Sequence, residues 1–183
     1  SNKIEVDKVS FHVADTSILL DDWHIRTHIW GRLYSRRLLS KIILPPSIKI
    51  GEDTAFNLLL FCSKQNTCVA RVTEALYFYF QREDSIVHTV PHAGKIDVAL
   101  FFVEQYTAIK DTDKYGIVLH EILRNMLAYR YLMSFSDDQE SIRKTCGSIY
   151  TFCKRNWVSS FPVKEKMKYS ILYYCPFVYR LFR

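Results

Sequence analysis

The second half of the chain contains the feature that most constrains its fold, three successive segments with apolar residues at helical spacing. These segments cover residues 96–109, 115–134 and 138–155, and Ser136 and Asp138 provide capping groups before the third. Only five glycines and five prolines occur in 183 residues, which disfavours a β-sandwich with its frequent turns. Residues 93–183 are therefore predicted to form a helical region, a bundle of about four helices.

The first half, residues 1–92, has a different pattern that predicts several short strands. Residues 3–14 partly alternate polar and apolar side chains, and residues 30–34 resemble a short strand. Residues 67–72 and 75–80 are rich in β-branched and aromatic side chains and predict a strand pair. The fold class predicted for the whole chain is therefore α+β.

Two helices are predicted between these strands. Ser35 is a suitable N-cap for a short helix over residues 36–42. Pro45 and Pro46 end any helix and require an extended loop. An apolar helix follows from about residue 53 to about residue 64, and its few polar side chains indicate burial.

Three motifs occur in order within residues 30–86. The first is W-G-R-L-Y-S-R-R-L-L at 30–39, and the second is G-E-D-T-A-F at 51–56. The third is Y-F-Y-F-Q-R-E-D-S-I at 77–86. In this order the motifs resemble the acceptor half of a family 2 glycosyltransferase.

That resemblance implies a partial GT-A-like domain over residues 1–92, with a small sheet and its helices. It also implies an enzyme that transfers a sugar, with inversion, from a nucleotide-sugar donor to a saccharide or lipid-linked acceptor. Family habit places such enzymes in bacterial surface polysaccharide synthesis. The nucleotide-binding half has no counterpart in this chain, so we expect the fragment to be inactive alone. An exposed sheet edge would then favour homo-oligomers.

The resemblance assigns catalytic roles to Asp53 and Glu52. Asp53 matches the general base that removes the acceptor hydroxyl proton, a role that suits a carboxylate within hydrogen-bonding reach. Glu52 would orient the acceptor or Asp53. The structural alternative is that Asp53 caps a helix while Glu52 interacts with its positive end.

Further binding residues follow from the same resemblance. Trp30, Arg32 and Tyr34 are expected to line the acceptor cleft, although Trp30 is equally compatible with packing in the core. Three residues of the loop after the strand pair are expected near the donor diphosphate, with Arg82 as a bidentate phosphate ligand. The full set is Arg82, Ser85 and His88.

The metal-binding motif of the family is missing. The only D-x-D spelling, at Asp111 to Asp113, follows Asp53 instead of preceding it and is interpreted as a loop between helices. The resemblance therefore implies a divalent cation, Mg²⁺ or Mn²⁺, in the full-length enzyme and none in this fragment.

The formal charge of +6 is spread along the chain, with no basic stripe of the kind that binds nucleic acid. Residues 163–183 are basic and aromatic, and Pro176 interrupts them. This end is expected either to rest on an anionic membrane or to dock on the domain as a terminal helix pair.

The five cysteines include no C-x-x-C pair, which predicts buried free thiols in a reducing cytosol. Cys146 and Cys153 are seven positions apart and are expected on one helix face. The expected location is cytoplasmic, at the inner face of the membrane if the C-terminal end binds lipid. The alternative function is a non-catalytic helical interaction module.

Overall fold

The computed structural model describes residues 28–39, 42–44, 47–48, 50–62, 94–109, 115–157 and 161–182. Within these ranges the chain forms six α-helices and two 3₁₀ segments. The α-helices are α1 (Arg36–Leu39), α2 (Glu52–Cys62), α3 (Lys95–Ile109), α4 (Tyr115–Leu132), α5 (Gln139–Arg155) and α6 (Val163–Tyr174). The 3₁₀ segments are Met133–Phe135 and Pro176–Phe182.

Helix α4 is the centre of the core. It packs against α3, α5, α6 and the C-terminal 3₁₀ segment. Apolar side chains surround most of its circumference, so that little of the helix is left for solvent. The buried residues are Val118, Leu119, Glu121, Ile122, Leu123, Asn125, Met126, Leu127 and Ala128. Glu121 is the buried carboxylate of this set, and its Oε2 lies 2.7 Å from Nη2 of Arg124.

Helix α5 has the opposite character, with one buried stripe and one solvated face. Its buried residues recur three or four positions apart: Ile142, Cys146, Ile149, Tyr150 and Cys153. Asp138 caps the helix, because its carboxylate accepts a hydrogen bond from the Ser141 backbone N–H at 3.3 Å. The predicted cap region and the shared face of Cys146 and Cys153 are thus confirmed.

The thiols follow the same division between core and surface. Cys62, Cys146 and Cys153 are buried, and Cys146 and Cys153 are free thiols. Cys175 is free but exposed, so the prediction of burial is wrong for that residue. Burial raises the pKa of Cys146 to about 11 and that of Cys153 to about 12. Both thiols are therefore protonated and unreactive at neutral pH. Cys68 lies outside the described residues.

Helix α6 docks onto the bundle through aromatic contacts. The Tyr150 hydroxyl lies 2.9 Å from Ser170 Oγ, and the Tyr150 and Tyr173 rings stack with centroids 3.9 Å apart. The guanidinium of Arg130 covers the Tyr173 ring at 4.4 Å. Docking of the C-terminal end on the domain is therefore confirmed for this face of α6. No helix in the described part of the chain combines the length and apolar content needed to cross a bilayer.

The predicted α+β class is wrong for the described residues, which are helical and contain neither a strand nor a sheet. Residues 30–34, predicted as a strand, begin with a turn at Trp30 and Gly31 and continue without regular structure. Gly31 has a φ of +69°, a left-handed conformation that ends an extended strand. The GT-A-like sheet and its exposed edge therefore have no counterpart in the described ranges. The other predicted strands, over 3–14, 67–72 and 75–80, lie outside them.

The helix predictions agree closely with the structure in the second half of the chain. Helices α3, α4 and α5 begin and end within about two residues of the predicted limits, a normal uncertainty for helix ends. Helix α2 begins at Glu52, one residue before the predicted start, and is described as far as Cys62; its predicted end near residue 64 lies outside the described residues. Helix α1 ends at Leu39, short of the predicted residue 42.

Gly51 fixes the angle at which the chain enters α2. Its φ of +83° lies in the left-handed region that favours glycine. A Cβ at this position would lie 3.0 Å from Cγ2 of Val98, a fully buried residue of α3. Both the backbone conformation and the close approach to α3 therefore require glycine.

We expect Gly51→Ala to lower the free energy of unfolding by about 1–2 kcal/mol from backbone strain, with a further loss from the Val98 contact. Gly116→Ala is the matched control, because a Cβ there meets nothing within 4 Å and alanine favours the helix by up to about 1 kcal/mol. Urea unfolding should therefore shift in opposite directions for the two variants. Equal shifts would contradict the special role of Gly51.

Candidate functional site

The first turn of α2 and the segment 28–34 form the candidate site. Asp53 lies in this first turn, and one of its carboxylate oxygens, Oδ2, accepts a hydrogen bond from the Ile29 backbone N–H at 3.4 Å. The two residues are 24 positions apart in the sequence. Two of the three motifs identified in the sequence, at 30–39 and at 51–56, are thus adjacent in space.

Asn57, one turn after Asp53, provides the second link between these segments. Its side chain is fully buried, and its Nδ2 donates a hydrogen bond to the His28 carbonyl oxygen at 2.9 Å. Its Oδ1 accepts from the Tyr34 hydroxyl at 3.2 Å and from Arg32 Nη1 at 3.5 Å. One amide therefore holds both ends of the turn at Trp30 and Gly31, in the manner expected of a buried polar group.

Asn57 and His28 were not predicted as site residues from the sequence. Asn57 is a polar residue within an otherwise apolar helical segment and follows Asp53 by one helical turn, which is a signal that the sequence does contain. The segment before Trp30 offers no such signal for His28. The centroid of the His28 ring lies 4.8 Å from that of the Trp30 ring, and the charge of His28 lowers the pKa of Asp53.

The surroundings of Asp53 raise the pKa of its carboxyl group above the ordinary value of 3.8. Burial is the largest cause, and the neighbouring charge of Glu52 adds to it. The Ile29 N–H, His28 and Arg32 act in the opposite direction. With a raised folded-state pKa, Asp53 favours the folded state most below pH 3.8, and this contribution is lost as the pH rises through the raised pKa.

Tyr34 and Arg32 form the wall of the site beside Asp53. Burial raises the pKa of the Tyr34 hydroxyl, while the charge of Arg32 and its hydrogen bond lower it and the charge of Asp53 raises it. The Tyr34 ring packs edge-on against Phe56 with centroids 5.1 Å apart. The phenol is therefore positioned by α2 while its oxygen lies near the charged groups of the site.

Trp30 lies at the surface of the site, with 39% of its area exposed. The interpretation that it packs in the core is therefore wrong. Its ring faces His28 at the turn, and both rings neighbour the segment that contacts Asp53. The role of Trp30 in acceptor binding stays a prediction.

The alternative that Asp53 is the N-cap of α2 does not agree with the position of this residue in the structure. Helix α2 begins at Glu52, so Asp53 is within the first turn and does not occupy the N-cap. Glu52 is exposed, and both carboxylates lie near the positive end of the helix dipole. The Asp53 side chain instead anchors the 28–34 segment through Ile29.

Arg82, Ser85, His88 and the Asp111 to Asp113 motif lie outside the described residues, so their roles stay predictions. The described ranges contain no group of three or more His, Cys, Asp or Glu side chains arranged to hold a metal ion. The described arrangement offers a half-buried carboxylate, that of Asp53, beside the 28–34 segment.

An NMR titration of the Asp53 carboxyl group tests this electrostatic arrangement. We expect its pKa to exceed 3.8, to fall in Glu52→Gln and to rise further in Arg32→Gln, because Glu52 raises the value and Arg32 lowers it. Glu104→Gln, at an exposed carboxylate of α3, is the control and should leave the titration unchanged. An Asp53 pKa at or below 3.8 would contradict the burial of this group.

No protein-family model, no curated protein and no solved structure matches this chain.

Proposed function

We propose that this chain is the acceptor-side, C-terminal part of an inverting glycosyltransferase, active within a longer chain. One observation carries the proposal: the first turns of α2 hold the segment that contains the Trp30 to Tyr34 motif, because Asp53 accepts a hydrogen bond from the Ile29 N–H and Asn57 accepts one from Tyr34. The motif resemblance assigns the role of base to Asp53 and the acceptor contacts to residues of that motif. The proposal concerns this site and does not require a sheet in the described residues.

In the proposed reaction the acceptor hydroxyl oxygen attacks the anomeric carbon of a nucleotide-sugar. The Asp53 carboxylate takes the hydroxyl proton as the new carbon–oxygen bond forms. The bond from the anomeric carbon to the diphosphate breaks, and the nucleoside diphosphate leaves with its electron pair. Attack opposite the leaving group inverts the anomeric configuration.

Each described residue of the site has a defined task in this scheme. Partial burial raises the pKa of Asp53 and so increases its basicity, which is favourable for a general base. Asn57 and the Ile29 N–H hold the 28–34 segment against α2, which sets the distance between Trp30 and the carboxylate. Arg32 supplies hydrogen-bond donors along the acceptor side, and the Tyr34 hydroxyl, whose proton is donated to Asn57, offers an acceptor oxygen. Glu52 orients the acceptor or Asp53.

The donor and its location are further parts of the proposal. Arg82, Ser85 and His88 would contact the donor diphosphate, and a divalent cation, Mg²⁺ or Mn²⁺, would be part of the full-length enzyme. The buried free thiols Cys146 and Cys153 support a reducing cytoplasmic compartment. The acceptor would be a saccharide or a lipid-linked saccharide used in surface polysaccharide synthesis.

Asp53→Asn in the gene product that contains this chain should lower kcat about 10²–10⁴-fold and leave donor KM nearly unchanged, because only proton transfer is lost. Release of nucleoside diphosphate from UDP-glucose, UDP-galactose, UDP-N-acetylglucosamine and GDP-mannose measures the effect. Glu104→Gln is the matched carboxylate control. Full activity of Asp53→Asn would return Asp53 to a structural role, and turnover by residues 1–183 alone would contradict the expected inactivity of the fragment.

A second candidate is a non-catalytic helical interaction module. It is favoured by the packing of α3, α5, α6 and the C-terminal 3₁₀ segment around α4, because these elements contain none of the predicted site residues. A coding sequence with an upstream nucleotide-binding α/β segment and a D-x-D motif would favour the enzyme. If the coding sequence lacks that segment and motif, and the gene product turns over none of the donors, the interaction module is favoured instead.

A further inference from the structure

The outward face of α6 carries an unusual concentration of exposed apolar side chains. Val163, Met167, Ile171 and Tyr174 are 70%, 61%, 47% and 67% exposed, respectively. They follow one another at intervals of four, four and three residues, which places them in a single stripe along the helix. Phe177 is 69% exposed and lies in the 3₁₀ segment that follows Tyr174, the last residue of this stripe, in the sequence.

The opposite face of α6 is the one that packs on the protein. Tyr169 and Leu172 are its buried residues, and Tyr173 stacks on Tyr150. Since the helix is anchored through this inner face, the apolar stripe is presented to solvent by a rigid element. Isolated exposed apolar residues are ordinary, but a continuous stripe on one helix indicates a contact surface.

The charges of α6 are divided between the same two faces. Lys164 is exposed and borders the apolar stripe on one side, and Lys166, on the helical wheel, borders it on the other. The one acidic residue of the helix, Glu165, is turned inward, where its Oε2 lies 3.5 Å from His120 Nε2 and 3.4 Å from Lys168 Nζ. The outward half of α6 therefore presents apolar side chains and lysines without a carboxylate.

We propose that this outward face of α6 is a docking surface for an anionic phospholipid bilayer. An interfacial helix requires an apolar stripe that enters the boundary between headgroups and acyl chains, together with basic residues that reach lipid phosphates. The lysines can extend their methylene stems along the stripe while their ammonium groups stay at the headgroups. Tyr174 combines an apolar ring with a polar hydroxyl, as residues at this depth commonly do.

Charge complementarity decides between a membrane and a second copy of the chain as occupant. Two copies joined through this face would bring their lysines together without acidic partners, which is unfavourable at low ionic strength. The chain as a whole has a formal charge of +6, which adds to attraction by an anionic surface. With 12 residues, α6 matches a helix lying in the interface, since spanning requires about 20.

Co-sedimentation with vesicles tests the proposal on the intact chain. We expect binding to vesicles of phosphatidylcholine with phosphatidylserine, weaker binding to phosphatidylcholine alone, and release as salt rises from about 0.1 M to about 1 M. The double variant Lys164→Gln/Lys166→Gln should bind the anionic vesicles at least about tenfold more weakly. Met167→Gln/Ile171→Gln should show a similar loss through the apolar contribution.

Matched controls separate the α6 face from general charge and hydrophobicity. Lys144→Gln removes an exposed lysine of α5, and Leu100→Gln removes a partly exposed leucine of α3. Both controls should bind as the unmodified chain does, and circular dichroism should show the same melting transition for all variants that are compared. Because the substituted side chains of α6 point outward, their loss should not disturb the core.

Three outcomes would overturn the proposal. The first is no binding to either kind of vesicle, and the second is binding that the α6 variants retain. The third is a concentration-dependent dimer in sedimentation velocity that Met167→Gln/Ile171→Gln abolishes, which would identify a second copy as the occupant. Membrane contact through α6 does not depend on sugar transfer. Failure of the vesicle experiment therefore leaves the Asp53→Asn experiment a valid test of the proposed function, and the reverse also holds.

Discussion

Burial of helix α4 is the interaction on which the rest of the described structure depends. The helix has apolar side chains around most of its surface, so it is stable only when other elements cover it. Helices α3, α5 and α6 and the C-terminal 3₁₀ segment provide that cover from different sides. Each of these elements needs to bury only one stripe, which explains why α5 and α6 remain solvated on their outer faces.

The candidate site is connected to this core through α2, whose Ala55 and Leu58 belong to the same buried cluster. Gly51 brings the start of α2 close to Val98 on α3, and α3 in turn packs against α4. From α2, the side chains of Asp53 and Asn57 hold the 28–34 segment. The positions of Trp30, Arg32 and Tyr34 relative to the carboxylate therefore depend on a chain of local contacts that begins in the core.

The predictable part of this fold is the part in which local pattern and burial agree. Helices α3, α4 and α5 follow from apolar spacing, and Asp138 follows from the chemistry of an N-cap. The failure at 30–34 has a specific cause. Aromatic and apolar residues there fit a strand pattern, but Gly31 adopts a positive φ and the side chains of Arg32 and Tyr34 turn to a buried amide instead.

The candidate site was predictable only in part, for a similar reason. The motif order predicted a shared site for Asp53, Glu52 and the Trp30 segment, and the structure places Asp53 in contact with Ile29, directly before Trp30. Asn57 and His28 were missed because their importance arises from hydrogen bonds and charges between segments, which no local pattern records. The exposure of Trp30 also depends on how the turn sits on α2, which only the tertiary structure determines.

The inward orientation of Glu165 has a consequence for how this protein can change over time. Because its partners His120 and Lys168 hold it on the packed side of α6, the residues that maintain the fold and the residues that meet the surroundings occupy separate faces of one helix. Sequence drift on the outer face can then alter what the helix touches at little cost to folding. The inner face can stay unchanged meanwhile. The stability of the fold and the affinity of the outer face for its binding partner can therefore evolve independently.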